Sequence, residues 1–170
     1  AAVNDMLSYF RVLRSDLDSQ QCVTEDDWET VVGHTKFLGS KTIEETWLRS
    51  SGDPLADVSV PGACRSANQR KLWHDLVNYL DRLKRVYGHM PHAFAMDVFK
   101  RLEPVWADRW ADDPSKKREA GEVAGALLDW ISKYTTMEDL FAGLSTLSRK
   151  GSTGVVLSTV HKAKGMEWDY

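Results

Sequence analysis

The residues best suited to chemistry lie near the end of the chain, where a β-rich run passes into a basic loop. The run 155–160 has the composition of a buried strand, and ligands of open α/β sheets bind at the carboxyl ends of such strands. Glycine lets a backbone approach a ligand closely, hydroxyl, imidazole and ammonium groups suit phosphate, and a carboxylate accepts a hydrogen bond from a ribose hydroxyl. The loop supplies these groups in Thr159, His161, Lys162, Lys164, Gly165 and Glu167. The pattern predicts contact with a phosphate-bearing ligand.

The elements that precede this loop are predicted to be helices. Over most of the chain, apolar residues recur at spacings of three or four, which is typical of amphipathic helices. Asn4 and Thr136 are expected to cap two of them. Thr24 precedes three acidic residues that suit a helix start, and Gly88 is expected to end the clearest helix. Helices are expected from Asn4 to about Leu17, after Thr24, from Ser40 to about Arg49, over 66–87, from about His92 to Leu102, from Ser115 and after Thr136.

The strand at the end of the chain has no sheet to join among these helices. A loop rich in proline and glycine at 51–64 and a turn at 149–154 are the main interruptions of the helical pattern. We therefore predict a mainly α fold, with a helical accessory subdomain at 1–150. Residues 151–170 are expected to be the first strand and loop of a neighbouring α/β domain, truncated at Tyr170.

Composition and charge narrow the class of protein. The chain has 170 residues, 42% hydrophobic and 28% charged, with a net charge of −3. Its longest apolar runs fall well short of the roughly 20 residues of a membrane helix, and two cysteines without Cys-x-x-Cys spacing favour a reducing compartment. We therefore expect a cytoplasmic protein without a membrane partner.

The charge is distributed unevenly along the chain. The net charge is −6 over 1–60, +4 over 61–100, −3 over 101–148 and +2 over 149–170. A protein that binds a polyanion over its whole surface is usually basic throughout. Only local patches could therefore meet phosphate, and solvated helix faces are the simpler explanation of any one patch.

The segment 155–169 resembles motif V of the UvrD/Rep-like superfamily 1 DNA helicases. In that family a strand runs into the pattern Thr-[Ile/Leu/Val]-His-x-Ala-Lys-Gly-[Leu/Met]-Glu-[Phe/Trp], which residues 159–168 follow position by position. The resemblance implies two sets of contacts: DNA for Thr159, His161, Lys162 and Lys164, and ATP for Gly165 and Glu167.

Other segments resemble the accessory 2B subdomain of the same family. Residues 3–13 resemble the passage that leads into 2B from the second RecA-like domain, 2A, and residues 136–148 resemble the last 2B helix before motif V. Residues 37–44 resemble a 2B hairpin of the type Gly-Ile-Gly-x-Lys-Thr-[Leu/Ile]-Glu, whose backbone amides meet duplex phosphate. Phe37 stands in place of the first glycine. The resemblance implies DNA contacts from Gly39, Ser40, Lys41 and Thr42.

A plain helix start is the alternative interpretation of this hairpin. Ser40 would then be the N-cap, and Lys41 would lie in solvent. A Walker A loop is excluded, because that motif needs a glycine directly before the lysine and another five residues earlier.

Taken together, the resemblance implies the 2B subdomain of an ATP-dependent DNA helicase. The first ~20 residues would lead in from domain 2A, and residues 151–170 would be the truncated start of RecA-like domain 2A with motif V. The whole enzyme would use ATP and Mg²⁺ to move along single-stranded DNA and unwind duplexes. Its partners would be the remaining helicase domains, single-stranded DNA, duplex junctions and a regulatory protein. Because Walker A and Walker B motifs are missing from this sequence, we expect no catalytic residue, no bound cofactor and no ATP hydrolysis from this segment alone.

Several observations favour other interpretations. The acidic first third of the chain favours a helical protein-interaction module without intrinsic nucleic-acid binding. His89 and His92 have no evident third ligand, so we expect no metal site. The tryptophans at helical spacing could stack bases but are more typical of a core. The basic stretch from Arg65 to Arg85 could follow a phosphate backbone, although solvation is its simpler use.

Overall fold

The structure, a computed structural model, describes residues 2–14, 23–50 and 52–149. These ranges are mainly helical, as predicted, and they contain no strand. The helices are α1 (Ala2–Leu13), α2 (Glu25–Gly33), α3 (Ser40–Ser50), α4 (Ala67–Tyr87), α5 (Pro91–Arg109), α6 (Pro114–Ile131) and α7 (Met137–Arg149). No helix in these ranges combines the length and apolar composition needed to cross a bilayer. The predicted strand at 155–160 and the predicted domain at 151–170 lie outside the described residues.

The first helix lies at the centre of the packing. It contacts α2, α5 and α6, and its side chains Met6, Tyr9, Phe10 and Leu13 are fully buried. The ring of Phe10 meets that of Phe94 in α5 at a centroid distance of 4.4 Å. Burial of each such side chain contributes about 2 kcal/mol to folding. The core of the described part is therefore organised around α1.

Side chains cap the starts of several helices. The caps are Thr24 of α2, Ser66 of α4, Asp113 of α6 and Thr136 of α7. The predicted roles of Thr24 and Thr136 are confirmed. The predicted cap at Asn4 is wrong, because α1 already includes Ala2 and Asn4 is an exposed residue inside it.

One helix is longer than its sequence indicates. We expected a helix to end at about Leu102, and this is wrong, because α5 continues through Pro104 to Arg109. Proline removes one backbone hydrogen bond from a helix and usually kinks it. Pro104 is exposed, whereas Leu102 and Trp106 are buried. The burial of Trp106, together with the 2.8 Å hydrogen bond from its indole nitrogen to Asp5, stabilises the end of α5.

Tryptophans form part of the core, as predicted. Trp28 and Trp73 are fully buried and meet edge to face at 6.3 Å. The indole nitrogen of Trp28 donates to the Thr46 hydroxyl at 2.8 Å, and that of Trp73 donates to the carbonyl of Val58 at 3.0 Å. The second bond attaches the predicted loop between α3 and α4 to the side of α4.

Candidate nucleic-acid interface

The turn between α2 and α3 contains the residues that the resemblance links to DNA. Within it, the N–H of Leu38 donates to the carbonyl of Thr35 at 3.2 Å. Leu38 is buried, whereas the neighbouring Phe37 is 71% exposed. Phe37 has a φ of 72°, in the left-handed region that glycine adopts freely and other residues seldom enter. The position at which the helicase hairpin has its first glycine therefore keeps a glycine-like backbone.

The start of α3 has no side-chain cap. The helix begins at Ser40, so the cap position belongs to Gly39, which has no side chain to offer. The carbonyl of Gly39 accepts the N–H groups of Thr42 and Ile43 at 2.9 and 3.3 Å. The alternative in which Ser40 caps the helix is therefore wrong. The N–H groups of Ser40 and Lys41 lie in the first turn, where helix geometry provides no intrahelical acceptor and where the helix dipole is positive.

The four residues of this turn that are predicted to contact DNA are not equally accessible. Gly39, Ser40 and Lys41 are exposed, but Thr42 is only 2% exposed. The Thr42 hydroxyl lies 3.9 Å from the Cys64 sulfur. This burial contradicts a direct contact between the Thr42 side chain and DNA. The Thr42 side chain instead contacts the loop before α4, and the DNA contacts of all four residues stay a prediction.

The start of α4 lies beside this turn. The side-chain amide of Gln69 donates to the carbonyl of Phe37 at 3.2 Å. The two carboxylate oxygens of Glu45 accept the N–H groups of Gly62 and Ala63, each at 2.8 Å. These two backbone hydrogen bonds lower the pKa of Glu45. The contacts bring the N-termini of α3 and α4 to one end of the molecule.

This end of the molecule carries unneutralised positive charge. Four exposed cations near the starts of α3 and α4 have no ion-pair partner within the described ranges: Lys41, Arg65, Arg70 and Lys71. We call the turn 36–42 together with these residues the basic end. Lys36 is paired with Asp108, and the exposed Glu44 follows one turn into α3. Arg82 lies about 18 Å farther along α4 and pairs with Asp97 at 3.5 Å. The predicted basic stretch therefore divides, and only its first part belongs to the basic end.

A buried polar network holds the beginning of the turn. His34 is buried, with Nε2 3.6 Å from the Asp5 carboxylate and Nδ1 3.4 Å from the Tyr9 hydroxyl. Arg101 of α5 donates to the Tyr9 hydroxyl at 3.3 Å and to the Thr35 hydroxyl at 3.1 Å. His34 and Thr35 are thereby fixed to α1 and α5. Sequence reasoning missed this network, because its members are far apart in the chain and share no local pattern.

The charge at the centre of this network is a carboxylate. Asp5 accepts the indole N–H of Trp106 at 2.8 Å and a guanidinium N–H of Arg109 at 2.9 Å. Burial raises the pKa of Asp5, but its contacts with His34, Trp106 and Arg109 outweigh burial and hold the pKa below its ordinary value of 3.8. Burial raises the pKa of Tyr9, so its hydroxyl stays protonated. The network is therefore charged at Asp5 and neutral at Tyr9 near pH 7.

Two further groups of residues were singled out from the sequence, the motif V set and a pair of histidines. The motif V set, Thr159, His161, Lys162, Lys164, Gly165 and Glu167, lies outside the described residues. His89 and His92 are exposed. Within the ranges that the structure describes, no three or more histidine, cysteine, aspartate or glutamate side chains form a group that could hold a metal ion.

The chemistry open to the basic end is the binding of an anion through backbone N–H groups and cationic side chains. In comparisons with known proteins, no family model, no curated protein and no solved structure matches the chain. The assignment of a family therefore depends on the resemblance of particular residues.

Proposed function

We propose that this chain is the 2B-like accessory subdomain of a UvrD/Rep-like superfamily 1 DNA helicase, followed by motif V, and that its basic end binds duplex phosphate. The observation that carries the proposal is the uncapped start of α3 at Gly39, where the first-turn N–H groups lie beside the unpaired ammonium of Lys41. Phosphate binds at such helix starts through N–H groups and the helix dipole. In α2 and α4 the cap side chains of Thr24 and Ser66 occupy first-turn N–H groups, whereas Gly39 leaves those of α3 open to a ligand.

The backbone of the turn supports the same proposal. A phenylalanine at positive φ costs free energy that a glycine would not, and the Phe37 ring is too exposed for burial to offset that cost. Phe37 occupies the position at which the helicase hairpin has its first glycine, a residue that adopts this φ freely.

The wider activity is proposed from motif V. The whole enzyme would couple hydrolysis of ATP, with Mg²⁺, to movement on single-stranded DNA and to duplex unwinding. Gly165 and Glu167 would contact ATP, and Thr159 and His161 would contact the single strand with Lys162 and Lys164. The basic end would grip or sense the duplex at the junction, in a cytoplasmic enzyme that a further protein regulates.

The competing proposal is a protein-interaction module, which the acidic residues of the first third favour. Part of that negative charge is used inside the molecule. Asp5 is bound by Trp106 and Arg109, and the buried Asp27 pairs with Arg11 at 3.0 Å. These two carboxylates do not form an outer surface, whereas the exposed acidic residues of the first third remain open to a protein partner: Glu25, Asp26, Glu29, Glu44 and Asp53.

A titration of fluorescently labelled hairpin DNA with the 170-residue chain tests the proposal. Fluorescence anisotropy at several salt concentrations should show duplex affinity that falls as salt rises, because bound cations release counterions from DNA. Lys41→Ala should weaken duplex binding and reduce the salt slope by about one unit. Lys117→Ala is the matched control, since Lys117 is an exposed lysine of α6 without an ion pair among the described residues.

Two results would contradict the proposal. The first is an absence of duplex binding at low salt. The second is an equal salt slope for Lys41→Ala and Lys117→Ala, which would place the DNA contact elsewhere. Absence of binding would favour the protein-interaction module instead.

A further inference from the structure

The most exposed aromatic side chain of the described part lies on the basic end. Phe37 is 71% exposed, although large apolar side chains usually gain stability by burial. Its φ of 72° is also unfavourable for any residue other than glycine. The exposure of the Phe37 ring is not explained by packing among the described residues.

The backbone of Phe37 is held from both sides. Its carbonyl accepts the Gln69 amide at 3.2 Å. The next residue, Leu38, is buried and donates to Thr35, which Arg101 fixes in turn. The ring is therefore presented to solvent from a fixed base, so little conformational freedom of the backbone remains to be lost when it binds.

The charge around the ring indicates what it would meet. Lys41, Arg65 and Arg70 are unpaired cations of the same end, and the first-turn N–H groups of α3 follow the ring by a few residues. Surfaces that combine cations for phosphate with an aromatic ring for stacking are typical of nucleic-acid binding. An acidic protein partner would neutralise the cations. A nucleic acid does so as well, and each of its nucleotides presents a flat aromatic base beside the phosphate.

We propose that Phe37 stacks on a nucleobase that is exposed at a junction between single-stranded and duplex DNA, while the start of α3 holds the adjoining duplex phosphate. This inference rests on the proposed function and adds a base contact to the phosphate contact. A stacked base contributes affinity with little dependence on sequence, because every base has a π face. The ring would therefore favour junctions over closed duplexes without a preference for particular bases.

The experiment uses the 170-residue chain and two DNAs of equal duplex length. One is a forked duplex with 2-aminopurine at the first unpaired position, and the other is a dumbbell closed at both ends by linkers that carry no bases. Phe37→Gly removes the ring at a position where glycine suits the backbone, so its melting temperature should equal or exceed that of the unchanged chain. It should lose about tenfold in affinity for the fork, together with the quenching of 2-aminopurine, and change less than twofold on the dumbbell. Phe37→Trp should retain both fork affinity and quenching.

Two controls separate this inference from the proposed function. Leu48→Ala removes another apolar side chain, which is 74% exposed on α3, and should leave the affinity for both DNAs unchanged. Lys41→Ala should weaken binding to both the fork and the dumbbell.

The inference is overturned if the unchanged chain binds both DNAs and Phe37→Gly binds the fork equally well, or if Phe37→Gly weakens fork and dumbbell alike. Those results would leave the phosphate contact standing and would point to a protein partner or to turn shape as the role of Phe37. Failure of the unchanged chain to bind either DNA would overturn both proposals together.

Discussion

Replacing Asp5 with asparagine tests the network that fixes the turn. Asparagine has nearly the same size and helix propensity as aspartate, so the change removes the charge of the side chain and little else. The hydrogen bond from the buried Trp106 indole would fall from a charge-assisted bond to a neutral one, a loss of about 1 kcal/mol. The Arg109 guanidinium would lose its ion pair, for which we expect a cost below about 1 kcal/mol because the Arg109 side chain is 40% exposed.

The expected destabilisation is therefore about 1–2 kcal/mol near pH 7, which lowers the melting temperature of a chain of this size by about 2–8 °C. Thermal unfolding followed by circular dichroism measures this directly. Asp108→Asn is the control, because Asp108 pairs with Lys36 where both side chains are exposed (58% and 72%). Its effect should stay within about 0.5 kcal/mol.

The effect of Asp5→Asn should depend on pH in one direction. The pKa of Asp5 is lower in the folded chain than its ordinary value of 3.8, so the carboxylate stabilises the fold fully above that value. This contribution is lost as the pH falls from 3.8 through the lower folded pKa. The difference between the two proteins should therefore shrink below about pH 4. A variant as stable as the unchanged chain at pH 7, or a deficit that persists undiminished at pH 2, would refute the reasoning.

Two further predictions concern the core and motif V. Thr46→Val leaves the buried Trp28 indole N–H without its 2.8 Å acceptor and should lower the free energy of unfolding, measured by chemical denaturation, by about 1–3 kcal/mol. The control is Thr146→Val, at an exposed threonine that bonds only to the Ala142 carbonyl, which should lower it by under about 0.5 kcal/mol. Equal losses of stability would contradict the contact between Trp28 and Thr46. In the proposed helicase, Glu167→Gln should raise the Michaelis constant for ATP with near-normal single-strand binding, and His161→Ala should reduce stimulation of the ATPase by DNA with nucleotide binding retained. ATPase rates against ATP concentration, with and without single-stranded DNA, distinguish the two, and indistinguishable profiles would argue against separate roles.

The helices could be predicted because their signals are local. The apolar spacing of 66–87 and the cap at Thr24 each depend on residues within a few positions of one another, and both agree with the structure. The continuation of α5 through Pro104 could not be predicted in this way. It depends on the burial of Trp106 and on the bond from Trp106 to Asp5, which lies 101 positions earlier.

The DNA contacts of the candidate site stay a prediction from the resemblance. The segment 39–42 was identified through its resemblance to the helicase hairpin, and the exposure of Gly39, Ser40 and Lys41 agrees with that role. The burial of Thr42 could not be foreseen, because it depends on contact with Cys64 across a loop. The left-handed backbone at Phe37 was equally hidden, since no property of phenylalanine itself indicates it.

A carboxylate placed at Gly39 tests whether the uncapped start of α3 binds duplex phosphate. No atom lies within 4 Å of a Cβ added at Gly39, so Gly39→Asp is accommodated and its side chain can cap the free N–H groups, which should leave stability equal or a few tenths of a kcal/mol higher. Gly121→Asp adds the same charge to α6, also without a close neighbour. In anisotropy titrations with duplex DNA, Gly39→Asp should lose at least tenfold in affinity, while the affinity of Gly121→Asp should stay within about twofold of that of the unchanged chain. If Gly39→Asp and the unchanged chain bind duplex DNA with equal affinity, the start of α3 does not bind its phosphate.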